Sequence, residues 1–271
     1  MKILQAIEAD FEESISRSSD ETREIRMDNF NEFKKLGIPT SKQEFWKFTN
    51  PSIIKDSEFT LGLSKDYDDK KYDIIVVNGK LTKKNDDIKI NNIHESLAEK
   101  KISNEIFGIT NNPFINLNNA FSTEGCVVSF KDNTEQEVRI LNVVDNTTSK
   151  QITHPRIIVN VGKNSNISIF EEIRFLGNKE NLVNSVTNFI LDEGSKVEHI
   201  LVDDYSENTY QISNVLVKQK RDSNFSSYNY SNGKMLARKD FIIELKERGA
   251  HCDLRGVYLA DQKNHIDHHT I

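Results

Sequence analysis

Gly162-Lys163-Asn164-Ser165-Asn166-Ile167, Glu193-Gly194-Ser195-Lys196-Val197, Arg221-Asp222-Ser223-Asn224-Phe225 and Arg248-Gly249-Ala250-His251-Cys252 are four versions of one pattern. Each is a polar turn, a small residue, one spacer, then an apolar residue or cysteine that opens a strand. The small residues fall at 165, 195, 223 and 250, in steps of 30, 28 and 27. A period of this size suggests a solenoid, in which coils of strands stack about 4.8 Å apart and each buries its inward side chains on the next. Small residues would recur where the chain turns a tight corner between neighbouring coils. The same spacing also fits an antiparallel sandwich with evenly spaced hairpins.

Around these turns, from Glu135 onward, the chain is a series of short alternating runs rich in β-branched and aromatic residues, with no helix-length pattern between them. Val138–Val144, Arg156–Val161, Ile167–Phe170, Val183–Leu191, Val197–Val202, Ile212–Val217, Phe225–Tyr230, Phe241–Leu245 and Arg255–Leu259 are the expected strands. Residues 135–271 therefore read as a mainly β core, working as a binding scaffold.

The N-terminal 50 residues read differently. Ile3, Ile7, Phe11 and Ile15 make one helical stripe, and the Ser18-Ser19-Asp20 cluster supplies a break and an N-cap. Ile25, Phe30, Phe33 and Leu36 make a second stripe that stops at Gly37, with Pro39 beyond. Ser41 and Glu44 have capping-box spacing and predict a third helix through Phe45, Trp46 and Phe48. Residues 51–134 are mixed. Asp73–Val77 reads as a strand, Asn78-Gly79 as a tight turn, Ile93–Lys101 and Asn116–Phe121 as helices and Cys126–Phe130 as a strand.

Composition narrows the function. Net charge is −6, from 36 basic and 42 acidic residues, which does not advertise a nucleic-acid surface. No run approaches 18 apolar residues, and the acids at the N-terminus come too early for a secretory signal, so no membrane partner and a cytoplasmic location are expected. Two cysteines far apart, Cys126 and Cys252, are read as reduced. No Gly-x-x-x-x-Gly-Lys-Ser/Thr loop and no Gly-x-Ser-x-Gly elbow occurs, so ATP use would come from a partner.

One cluster could carry chemistry. In an extended strand His265, Asp267 and His269 share a face while His268 points the other way. Two His and an Asp are ligands for Zn or Fe(II), but positions i, i+2 and i+4 spread over roughly 13 Å. A polar strand face, set against a partner chain, is the simpler reading. Cys252, beside His251, has a neighbour that could activate a thiol. It nevertheless occupies the repeat position of Ile167, Val197 and Phe225, and so reads as a core residue, as does Cys126. Trp46 and the phenylalanines beside it read as packing, and Asp192-Glu193 and Asp203-Asp204 as solvated turns. No residue is assigned as catalytic, cofactor-binding or metal-ligating.

Several motifs, in order, resemble the SufD family, a component of the SUF iron–sulfur cluster assembly machinery. They are Leu36-Gly37-Ile38-Pro39, Glu44-Phe45-Trp46-Lys47-Phe48-Thr49, Leu117-Asn118-Asn119-Ala120, His154-Pro155-Arg156 and Glu171-Glu172. Gly256-Val257-Tyr258-Leu259 and His265-Ile266-Asp267-His268-His269-Thr270 complete the set. The resemblance implies a right-handed parallel β-helix, in agreement with the period. It implies a non-catalytic scaffold subunit that pairs with the paralogue SufB and the ATPase SufC. An iron–sulfur cluster would be assembled transiently with these partners, and no cofactor would be held by this chain alone. It further implies more coils, a SufC-docking helical region and a late histidine beyond the motifs present here, so the sequence is expected to be a partial one. A SufB-like or undifferentiated SufB/SufD scaffold fits the same motifs less well, because the Trp-containing segment is the SufD form. A β-helix enzyme acting on polysaccharide would leave the helical N-terminus unexplained.

Overall fold

The computed structural model describes residues 2–16, 20–98, 102–121, 124–261 and 263–271. It is mainly β, a solenoid of about five turns with helices at its N-terminus. Two sheets of parallel strands alternate along the chain. The first sheet contains Cys126–Phe130, Arg156–Val161, Asn181–Leu191, Ser206–Gln219, Lys234–Leu245 and Ile266–Thr270, each paired with the next. The second contains Ile74–Val77, Glu135–Val144, Asn166–Phe175, Lys196–Asp203, Asn224–Asn232 and His251–Leu259 in the same manner. Two strands of the middle segment, Ile74–Val77 and Cys126–Phe130, thus join the two sheets ahead of residue 135.

Register converts the sequence repeat into columns of side chains. Ile167, Val197, Phe225 and Cys252 stand in one column of the second sheet, successive partners across successive rungs. Val159, Phe189, Val217 and Ile243 form a column of the first sheet. Most of these side chains meet in one apolar core between the sheets. The expected parallel stack is what forms; an antiparallel sandwich is excluded because the described strands from Glu135 onward all pair in parallel.

The corner at the small residues is built from a second column. Ser165, Ser195 and Ser223 are buried, and the carbonyl of each accepts an N–H from the following coil: Lys196 to Ser165 O at 2.7 Å, Asn224 to Ser195 O at 2.8 Å, and His251 to Ser223 O at 2.9 Å. One position earlier, Asn133, Asn164, Gly194, Asp222 and Gly249 all have left-handed backbone, with φ between +53 and +74. That region is tolerated by Gly and, among side-chain residues, best by Asn and Asp. At two steps of this column a glycine follows an Asn or Asp for a packing reason. A Cβ on Gly194 would lie 2.4 Å from Asn164 Oδ1, and one on Gly249 would strike Asp222 Oδ1.

Helices α1 (Lys2–Ser16) and α2 (Asp20–Leu36) form where the stripes place them, with Ile3, Ile7, Phe11, Phe30 and Phe33 buried. Phe11 stacks on Phe30 at 3.9 Å between ring centroids. Gly37, at φ +67, donates to Phe33 O and ends α2. The Ser18-Ser19 break lies outside the described residues. The predicted helix Ile93–Lys101 is described as α3 over Ile93–Ala98, its last three residues lying outside that description. The next, α4, spans Pro113–Phe121 and is buried throughout. The predicted third N-terminal helix is instead a single 3-10 turn, Glu44–Trp46. Ser41 caps nothing there: the Gln43 side chain takes the Thr40 N–H, and the N-cap position makes no side-chain bond. Only Trp46 of its aromatics is buried, while Phe45 and Phe48 are 64% and 78% exposed, contrary to the packing reading.

Candidate functional site

Three polar assemblies join the motifs of the sequence. Arg156 is fully buried beneath α4. Its Nη1 donates to Asn119 Oδ1 at 2.7 Å and Asn118 Oδ1 at 3.2 Å, its Nη2 donates to Ile106 O at 3.1 Å, and the guanidinium lies over the Phe107 ring. Burial lowers its pKa to about 9, so the cation persists at neutral pH. Asn118 also donates to Pro155 O and Asn184 O. The Asn118-Asn119 pair is therefore the clamp that seats α4 on the second coil of the first sheet.

The second assembly lies inside the solenoid and crosses four rungs. Asn229 Nδ2 donates to Ser227 Oγ at 3.0 Å, and Ser227 meets His199 Nδ1 at 3.2 Å. His199 Nε2 lies 3.0 Å from Glu171 Oε2, and Asn142 Nδ2 donates to Glu171 Oε1 at 2.6 Å. The links from Ser227 to His199, His199 to Glu171 and Glu171 to Asn142 each span about one coil, so the period itself aligns these groups. A consistent proton order runs from Asn229 through the Ser227 hydroxyl to His199 Nδ1, and from His199 Nε2–H to the carboxylate. Two donors on Glu171 offset the cost of burying it. Deeper toward the last coil, Asp203 lies 3.1 Å from Lys239 Nζ and accepts from Gln211. Burial opposes the Asp203 carboxylate, but Lys239 and Lys234 outweigh it and hold its pKa below the usual range. Asp203 is thus an interior ion-pair residue, which corrects its reading as a solvated turn; Asp204 beside it is exposed. Strands end at turns, but the alternation 197, 199, 201, 203 puts this acid on the inward face.

The third assembly unites the two ends of the chain. Thr49, fully buried, donates to Asp267 Oδ2 at 2.5 Å and lies 2.9 Å from His265 Nε2. The single Thr49 proton goes to Asp267, so His265 Nε2 must be the donor to the Thr49 oxygen. Arg238 Nη1 donates to the same Asp267 oxygen at 3.0 Å, Arg238 Nε donates to Asp240 Oδ1 at 2.8 Å, and the guanidinium lies 4.3 Å from the Trp46 ring centre. Burial raises the pKa of Asp240, against the pull of Arg238. His269 Nδ1 is 3.3 Å from Asp240 Oδ1.

His265, Asp267 and His269 do share one face, as strand alternation requires, while His268 turns inward to Ser231 Oγ at 3.0 Å and to the edge of Tyr258. The face does not converge on one point: His265 and Asp267 engage Thr49, and His269 pairs with Asp240. What covers it is this chain's own N-terminal arm. Among the described residues no group of three or more His, Cys, Asp or Glu is arranged to hold a metal ion. Cys126 is buried and its thiol pushed up to about 12 by burial; Cys252, half-buried on the last rung, is pushed up to about 11 by burial. Neither sits among cationic groups that would favour a thiolate. The Glu171–His199 relay had a signal in the sequence, since 171, 199 and 227 are 28 residues apart, the length of one coil.

With the solenoid and its internal order established, residues 143–271 match the family model described as SUF system FeS cluster assembly, SufBD core domain. Over these residues, just under half of the chain, it is similar to the SufB/SufD family, and its curated relatives make it SufD-like. The "Iron-sulfur cluster assembly protein SufD" of Plasmodium falciparum (isolate 3D7) is 30% identical over 143 residues, covering 52% of this chain and 10% of the relative. The protein of the same name from Plasmodium berghei (strain Anka) is 28% identical over 131 residues, covering 48% of this chain and 10% of the relative. The chain thus spans about a tenth of the length of these curated relatives. No helix among the described residues is long and apolar enough to cross a membrane.

Proposed function

We propose that this chain acts as a non-catalytic scaffold of SUF iron–sulfur cluster assembly, in the cytoplasm, pairing with a SufB-like paralogue and, through the assembled complex, with a SufC-type ATPase. The observation that carries this reading is the parallel stack itself, matched by the SufBD core model over residues 143–271. Its polar side chains are spent on each other in ways that serve architecture: Arg156 holds a helix, Thr49 ties the arm to the last rung, and His199 and Glu171 hydrogen-bond one another inside. The cluster is cargo in this account, built with the partners, and this chain alone holds none.

Co-expression with the SufB-like paralogue and the SufC-type ATPase of the same genome tests the pairing. The account expects a stable heteromeric complex on size-exclusion chromatography. Elution of this chain alone, beside a complete complex of the other two, would overturn it.

A further inference from the structure

A cleft of about 510 Å³ separates the N-terminal arm from the outer face of the first sheet, a size that suits a small organic molecule. Pro39, Phe45 and Trp46 form one wall, and Leu216 and Ile242 lie on the floor. Phe45 is largely exposed and meets the edge of His269 with ring centres 6.1 Å apart. The walls are therefore aromatic and the floor aliphatic.

The polar groups at the two ends of this floor include a carboxamide oxygen and a carboxylate. At one end Asn188 is buried, 5% exposed, and its Oδ1 has no hydrogen-bond partner. At the other end stand the Asp240 carboxylate and His269, whose Nδ1 makes no aligned hydrogen bond. Arg238, the cation nearest that end, is already committed to Asp240, Asp267 and the Trp46 ring. Lys218 on the rim stands beside Glu244 of the adjoining rung, and Glu105 adds a further carboxylate. Register fixes the separation of the ends. Asn188, Leu216 and Ile242 are one column, and Asp240 precedes Ile242 by two residues. Two rungs across and two residues along place Asn188 and Asp240 roughly 12 Å apart.

We propose that this cleft binds an alkyl diammonium ligand of the polyamine class, one ammonium on Asn188 Oδ1 and the other on the Asp240–His269 pair. The methylene chain lies on Leu216 and Ile242, beneath Phe45 and Trp46. A buried acceptor without a donor is a cost that such a ligand removes, and ammonium groups near aromatic faces gain further. Two acceptors at fixed separation select length as well as charge.

Trp46 is the one tryptophan of the chain, so its emission reports on the wall of this cleft alone. Titration with hexamethylenediamine is expected to change it saturably. Trimethylenediamine, too short, and hexylamine, with a single charge, are expected to bind at least about tenfold more weakly, and adipate, of the same length and opposite charge, not at all. Asn188→Leu should reduce hexamethylenediamine binding to the level of hexylamine. If Asn188→Leu does not fold, Asn188→Asp, which adds charge at the same acceptor, should tighten it. Absence of a saturable change with hexamethylenediamine, equal affinity for the four compounds, or a folded Asn188 variant with unaltered affinity would each overturn the proposal.

Discussion

Thr49 Oγ1 donates a 2.5 Å hydrogen bond to Asp267 Oδ2, across 218 positions of sequence. Through it the N-terminal arm grips the last rung of the stack. Arg238, bonded to the same carboxylate oxygen and lying over Trp46, makes the grip a unit of ring, cation and carboxylate rather than one bond. Thr49→Val keeps the shape and removes the hydroxyl. It leaves His265 Nε2–H without its acceptor and Asp267 with one donor fewer. A loss of about 1–3 kcal/mol is expected by urea unfolding. The double variant Thr49→Val/Asp267→Asn should lose less than the two single losses combined. Strict additivity would show that the two side chains do not interact.

The left-handed column of the corner makes a second prediction. Gly194→Ala should destabilise by about 1–2 kcal/mol from backbone conformation alone, with a further cost because the new methyl meets Asn164 Oδ1. Asn164→Gly clears that space while permitting the positive φ at 164. The cost of Gly194→Ala should therefore be smaller in the Asn164→Gly background than in the parent. An equal cost in both backgrounds would remove the side chain of Asn164 from the explanation.

His154 supplies a pH dependence whose sign is fixed. Its Nδ1 faces the Asn184 amide, its Nε2 has no partner, and burial lowers its pKa to about 3. The neutral ring is therefore favoured in the fold, while the unfolded chain takes up a proton near pH 6.5. The stabilising contribution is whole above about 6.5 and is lost as pH falls from there toward 3. His268, lowered to about 4 by burial and by Lys239, acts in the same direction. His154→Gln should flatten the dependence of unfolding free energy on pH between about 6.5 and 4, whatever it does to stability at neutral pH. Parallel curves for the variant and the parent would contradict this.

Thiol labelling separates the two cysteines by their place in the stack. With burial raising both thiol pKa values, neither should react readily in the native protein at neutral pH, and both should react in denaturant. Cys252 should label faster than Cys126, because it lies on the last rung whereas Cys126 is enclosed. Rapid native labelling of Cys126 would be incompatible with the core described.

The stack was legible because its signal repeats. Ser165, Ser195 and Ser223 mark one corner three times, and Ile167, Val197, Phe225 and Cys252 mark one column four times, so an error at one site is corrected by the others. The arm was less legible because its structure depends on single long-range contacts. Ser41 and Glu44 carry a helix-start spacing, yet the chain is drawn instead into a 3-10 turn that buries Trp46 on Arg238 and delivers Thr49 to Asp267. Local propensity holds no information about those partners, 192 and 218 residues away. Asp203 was misread for a similar reason: its neighbours in sequence suggest a turn, while its partner Lys239 belongs to the other sheet. The polar face of His265, Asp267 and His269 was legible as a face, but not what covers it.

The central claim is that this chain supplies a surface for cluster assembly and no chemistry of its own. Anaerobic assembly with iron, sulfide and ATP, followed by absorbance and ATP hydrolysis, tests it most directly. The account predicts that the chain alone neither retains a cluster nor hydrolyses ATP, and that adding it to the SufB-like paralogue and the SufC-type ATPase raises cluster yield. A stoichiometric cluster or ATP turnover on the isolated chain, or a yield indifferent to its addition, would contradict the account.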